Sequence, residues 1–142
     1  MTDNRTPAQL YALVVGAVLV GAGIVGFFYN SSFATGDDVP RDAVLGLLDV
    51  NAWHNVVHLV TGALGLAIFA SRPGARAYAF GLGAVYLVVT IWGFAIGDGG
   101  VILKLVPINT EDNVLHLLLA IAGLAAGAAS AATRSVVQPG RA

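Results

Sequence analysis

The sequence has no cysteine, which excludes disulfides, thiolate metal sites, iron–sulfur clusters and cysteine nucleophiles together. Charge is scarce too: 11% of 142 residues, far below the roughly 25% of a soluble domain. The seven Lys and Arg are scattered and the net charge is −1, so no basic patch could neutralise a phosphate backbone. Nucleic acid is thereby excluded as a partner. A hydroxyl nucleophile is equally hard to find, since Thr61 and Thr110 are the hydroxyls nearest the histidines and neither is on a sharp nucleophile-bearing turn. What the chain has instead is 57% hydrophobic residues, more apolar surface than a water-soluble fold of this size can hide. The lipid bilayer is the implied surrounding.

Four uncharged runs stand out: Leu10–Phe28 (19 residues), Asn51–Ala70 (20), Ala77–Gly97 (21) and Asn113–Thr133 (21). Each is about the ~20 residues that a helix needs to cross a bilayer core. The first is read as an uncleaved span, because no small-residue cleavage site follows it before Tyr29-Asn30-Ser31-Ser32. The expected fold is an all-α membrane protein of four transmembrane helices in a single domain, 1–142. Arg5, Arg72, Arg76, Arg134 and Arg141 fall on one side and only Arg41 and Lys104 on the other, which places both termini, with a tail at 134–142, in the cytoplasm. The expected location is therefore the bacterial cytoplasmic membrane, with the chain crossing it several times. The Ser71–Arg76 turn is short enough to make the second and third spans antiparallel neighbours.

The chain also repeats itself. Residues 44–59, shifted by 58, fall on 102–117, so that Asn51, Asn55, His58 and Leu59 meet Asn109, Asn113, His116 and Leu117. At a shift of 67, Tyr11, Gly16, Gly26 and Phe27 meet Tyr78, Gly83, Gly93 and Phe94. Each half, about 10–70 and about 77–133, is then a helical hairpin. Because each copy crosses twice, the two share one orientation and are related by a pseudo-twofold axis along the membrane normal. Equivalent residues of the second and fourth spans are expected to face that axis.

The Asn-x-x-His-Asn-x-x-His-Leu stretch at Asn51–Leu59 and its Asn-x-x-Asp-Asn-x-x-His-Leu echo at Asn109–Leu117 resemble the small bacterial membrane proteins called domain of unknown function family 4383. The resemblance covers roughly Tyr11 to Ala129. It implies the fold and the membrane location, and no activity.

His54 and His58 are one helical turn apart, and Asp112 and His116 hold the equivalent places in the second copy. Three imidazoles and a carboxylate are a ligand set for zinc or another divalent transition metal, with Asn55 and Asn113 beside them as supporting partners and Asn51 and Asn109 as further structural polar groups. Neutral His and Asn in membrane helices also serve as hydrogen-bonding glue. The first reading is accordingly a non-enzymatic structural or accessory protein acting through helix contacts with a homo-oligomer or a larger membrane complex. Metal or haem binding at His54, His58, Asp112 and His116 is the alternative, ranked with a small cation ahead of haem, and a proton or small-ion path is the second alternative.

Gly21-Ala-Gly23-Ile-Val-Gly26 fits the dinucleotide pattern but lies inside an apolar span with no preceding strand, so these glycines read as helix contact surfaces. Ala43–Val50 and Val101–Ile108 are apolar but too short to span, and are expected at the outer interface or as re-entrant pieces. Thr110 is the expected N-cap of the last helix and Trp53 an interface aromatic.

Overall fold

The computed structural model describes residues 5–132, so the expected tail at 134–142 lies outside the described residues. The chain runs α1 (Pro7–Tyr29), β1 (Asp42–Val44), β2 (Leu48–Val50), α2 (Ala52–Ile68), α3 (Arg72–Ile96), β3 (Gly100–Ile102), β4 (Val106–Ile108) and α4 (Thr110–Ala132). Three helices, α1, α3 and α4, are long and apolar enough to cross a membrane. The second is shorter, 17 residues or roughly 25 Å at ~1.5 Å per residue. Val14, Val18, Val60, Leu64, Val88, Ile91, Leu118 and Ile121 all point outward from the bundle, an apolar surface suited to lipid.

Local chemistry explains where each helix starts. Thr6 and Gln9 form a capping box before Pro7, which opens α1. Asn51 caps α2 by accepting from the His54 N–H, and Ser71 caps α3 by accepting from the Gly74 N–H. At α4 the cap is Asn109 and not Thr110: Asn109 Oδ1 accepts from the Asp112 N–H at 2.8 Å, and Asp112 Oδ2 accepts from the Asn109 N–H at 3.2 Å. Asn109 takes the role because a carboxylate three residues later returns the bond. Thr110 becomes the first helical residue, its N–H donating to Asp98 Oδ1.

The two short apolar segments correct the all-α expectation. Each is an antiparallel hairpin, β1 on β2 with Asp42 opposite Val50 and β3 on β4 with Gly100 opposite Ile108. Val and Ile supply strand-forming side chains, while three-residue strands are too brief to leave an alternation in the sequence. The hairpins interlock, since Asn51 Nδ2 donates to Leu105 O at 2.6 Å and Asn109 Nδ2 to Leu47 O at 2.7 Å.

Helix packing pairs α1 with α2 and α3 with α4, and α1 crosses α3 in the centre. This too departs from expectation: α2 and α4 do not form a principal packing pair, and α2 and α3 touch only lightly despite their short connection. Glycine explains the intimacy within each pair. A Cβ on Gly16 would lie 3.0 Å from Gly62 O, and one on Gly62 would lie 2.7 Å from Gly16 O, so these backbones pack directly together.

Candidate metal site at the hairpin end of the bundle

His54 stands in the first turn of α2, where the Asn51 cap fixes the backbone and leaves the ring 3% exposed. One turn later His58 packs on it, with ring centroids 4.4 Å apart. His116 of α4 reaches in from the other hairpin and its ring centre is 6.0 Å from that of His54. Although α2 and α4 are not close packing partners, long side chains close the gap at this end. One ligand nitrogen from each of His54, His58 and His116 lies within 4.8 Å of the other two.

The hydrogen bonding of the three rings is unequal. His54 Nδ1 is 2.8 Å from the Asp49 carbonyl oxygen. A carbonyl can only accept, so Nδ1 carries the proton and the free lone pair of His54 is on Nε2. His58 Nδ1 and His116 Nδ1, by contrast, are buried with no hydrogen-bond partner. A buried polar atom without a partner costs about 1–3 kcal/mol and asks for a water or an ion. The His116 ring is held in place by Tyr86 of α3, stacked on it at 4.9 Å and 25°.

Asp112 belongs to the same end but not to the cluster of three. Its Oδ2 accepts from the Asp49 N–H at 3.1 Å and from the Asn109 N–H at 3.2 Å, so the carboxylate braces two backbones. Asp49 therefore joins His54 to Asp112, through its carbonyl on one side and its N–H on the other. The Asp49 carboxylate faces Arg41 at 3.6 Å, and the Arg41 guanidinium also donates to Gly99 O.

Asn55 and Asn113 have a task other than supporting the histidines. Asn55 Nδ2 donates to Asn30 O at 2.9 Å, and its Oδ1 fills the notch left by Gly26, where a Cβ would collide with it. Asn113 Oδ1 fills the notch left by Gly93 in the same way. Trp53 donates from Nε1 to Phe33 O at 3.1 Å and meets the Phe33 ring edge-on at 5.1 Å.

Sequence reasoning found His54, His58 and His116 and missed Tyr86, Asp49 and Arg41. Tyr86 falls opposite Leu19 in the internal comparison, and that departure from the repeat was the available signal. Asp49 acts through its backbone and leaves no side-chain signature. On the side of the histidines away from the hairpins, the core consists of Ala12, Val15, Leu19, Ala79, Leu82 and Ala120 with Tyr11, Tyr78 and Tyr86.

No curated protein and no solved structure matches the chain. A family profile does match, over residues 9–129, and the chain belongs to that family, described as Domain of unknown function (DUF4383).

Proposed function

We propose that the protein is a non-enzymatic, four-span membrane protein that binds a transition-metal ion at His54, His58 and His116. The observation that carries this reading is the convergence of three neutral imidazoles with two partnerless, buried Nδ1 atoms. In the tautomer that leaves Nδ1 unprotonated, a bound cation gives each of those atoms a partner and uses up what a general base would need. The rings press on one another and on Tyr86, which favours a single ion over a haem macrocycle between them. The core beyond the site holds tyrosines among Ala, Val and Leu but no charged side chain, which argues for binding over conduction of protons or ions.

Support for the duplicated hairpin comes from pairs of contacts. Tyr11 Oη donates to Leu119 O at 3.0 Å and Tyr78 Oη to Thr61 O at 3.1 Å, and both donors and acceptors are equivalent under the shifts of 67 and 58. The interlocked Asn51 and Asn109 amides obey the same relation. With α2 as a fourth span, local bilayer thinning accommodates its length. The arginine bias supports cytoplasmic termini.

A structural or accessory role is the second reading. Gly21 and Gly81 face outward with nothing within 4 Å, leaving small-residue spots on α1 and α3 for another membrane helix.

Elemental analysis of the protein purified in native-lipid particles tests the first reading. Near-stoichiometric metal that disappears from a His58→Ala/His116→Ala variant is the expected result. Metal-free wild-type protein that takes up none of the first-row cations offered would end it. Topology is tested separately with single cysteines at Ser31 and Ser135, which should label from opposite sides of the membrane, Ser31→Cys from outside.

A further inference from the structure

We infer that the cation this site is built for is monovalent copper, held by the three imidazoles with the Asp112 carboxylate as an uncoordinated counter-charge. The inference rests on the metal reading above and narrows it by charge and coordination number.

The donor set comes first. All three ligand atoms are imidazole nitrogens, and no anionic oxygen or sulfur joins them among the described residues. A divalent ion on neutral ligands keeps its full double charge in a low-dielectric surrounding, and the Born penalty rises with the square of the charge. A monovalent ion faces a quarter of it.

Burial then singles out one carboxylate at this end of the bundle. Asp49 on β2 faces Arg41. Lys104, beyond β3, pairs with Asp37 at 3.2 Å in an exposed contact. Asp42 accepts from Asn30 Nδ2, Asp98 accepts from Thr110, and Glu111 is exposed. Asp112, 3% exposed, is the one buried acidic group among the described residues, and it accepts from two backbone N–H groups with no cation beside it. With Asp112 ionised, the three neutral histidines and this carboxylate carry −1, which a single monovalent ion cancels.

Coordination number points the same way. Zinc sites in proteins are almost always four-coordinate, with anionic ligands or an ionised water completing the shell. Here the protein supplies three nitrogens, and Asp112 is turned to the backbone of Asp49 and Asn109. Copper(I) and zinc(II) are both filled-shell ions without a ligand-field preference, but copper(I) accepts three nitrogen ligands without a fourth, whereas zinc(II) on these three would need a water to complete its shell. The Nδ1–H of His54 donating to Asp49 O is the outer-shell bond that orients a ligating imidazole. That same Asp49 carries its N–H to Asp112, so counter-charge and ligand are fixed by one residue.

The test is an anaerobic titration of the full chain in lipid nanodiscs. Copper(I) is delivered from a chromogenic copper(I) chelator, silver(I) serves as a redox-inert monovalent probe, and zinc(II) is titrated separately. One copper(I) per chain is expected, displaced by silver(I), with zinc(II) binding at least 100-fold more weakly. Zinc(II) binding as tightly as copper(I) overturns the monovalent assignment and leaves the metal reading standing. Binding of none of the three overturns both. These comparisons use the wild-type chain, so no variant has to fold for them to decide. For the counter-charge, Asp112→Asn keeps one side-chain oxygen able to accept from both backbone N–H groups, as Oδ2 does, and removes the charge. Copper(I) affinity is expected to fall roughly 10–100-fold with the stoichiometry unchanged, the usual range for outer-shell partners. An Asp112→Asn chain of native helicity that binds copper(I) like wild type overturns the role given to Asp112.

Discussion

At the scale of single residues, the buried amides of Asn55 and Asn113 are most informative, because each depends on a missing side chain opposite it. A methyl group on Gly26 would strike Asn55 Oδ1, and one on Gly93 would strike Asn113 Oδ1. Neither oxygen accepts a conventional hydrogen bond, so its close seat on a glycine Cα is the contact it has. Gly26→Ala and Gly93→Ala should each therefore destabilise the protein by about 1–3 kcal/mol, the range of overpacking, and lower the thermal midpoint in detergent. Gly21→Ala is the control, since nothing lies within 4 Å of its added methyl and alanine is the better helix former. Equal midpoints for Gly26→Ala and Gly21→Ala would show that the notch is dispensable. The asparagines were legible in the sequence as motif positions, but their task was not. A four-residue spacing shows which side chains share a face of one helix, and it carries no information about which glycine lies opposite on another.

Among the elements, the two hairpins were the least legible and the helices the most. Long uncharged runs mark α1, α3 and α4 directly, because a bilayer imposes the composition of what crosses it. Three-residue strands impose no such pattern, and their turns are unusual. Leu45 and Leu103 both have φ of 54°, in the left-handed region that costs a non-glycine residue about 1–2 kcal/mol. After Leu45 comes Gly46, which adopts φ of 73° freely, whereas the second hairpin places Lys104 there at φ of 61°. Lys104→Gly should accordingly stabilise the protein by roughly 0.5–1 kcal/mol. The exposed ion pair that it removes, to Asp37, contributes little. A lowered thermal midpoint would mean that the Lys104 side chain does more than its exposed contact suggests. The Asn109 cap shows the same limit of sequence reading: Asn109 and Thr110 are both capping residue types, and the choice was settled by Asp112 closing the box and by the Asn109 amide reaching Leu47.

For the molecule as a whole, the sequence matches at shifts of 58 and 67 were readable and the packing of the helices that carry them was not. Matching residues suggest related segments, yet they do not say which helices meet; α1 and α3 fill the centre where α2 and α4 were expected. Small residues decide this. Ala8, Ala12, Ala75 and Ala79 are fully buried on the two central helices and let them approach, while the bulkier histidines of α2 and α4 meet only at the hairpin end. The tyrosines then tie each hairpin to the other, Tyr11 from α1 to the Leu119 carbonyl of α4 and Tyr78 from α3 to the Thr61 carbonyl of α2. If the pseudo-twofold relation governs the energetics as well as the contacts, Tyr11→Phe and Tyr78→Phe should weaken the fold by nearly equal amounts. About 0.6 kcal/mol each is the expected loss, the average for hydrogen bonds between membrane helices, with about 1.7 kcal/mol as the upper end. The two effects should not simply add, because the tyrosine rings touch with centroids 6.2 Å apart and removal of one hydroxyl frees the other ring to shift. Unfolding titrations of both single variants and the double variant give the comparison directly. Single effects differing more than twofold would mean that the two halves, whatever their common pattern, contribute unequally to holding the bundle together.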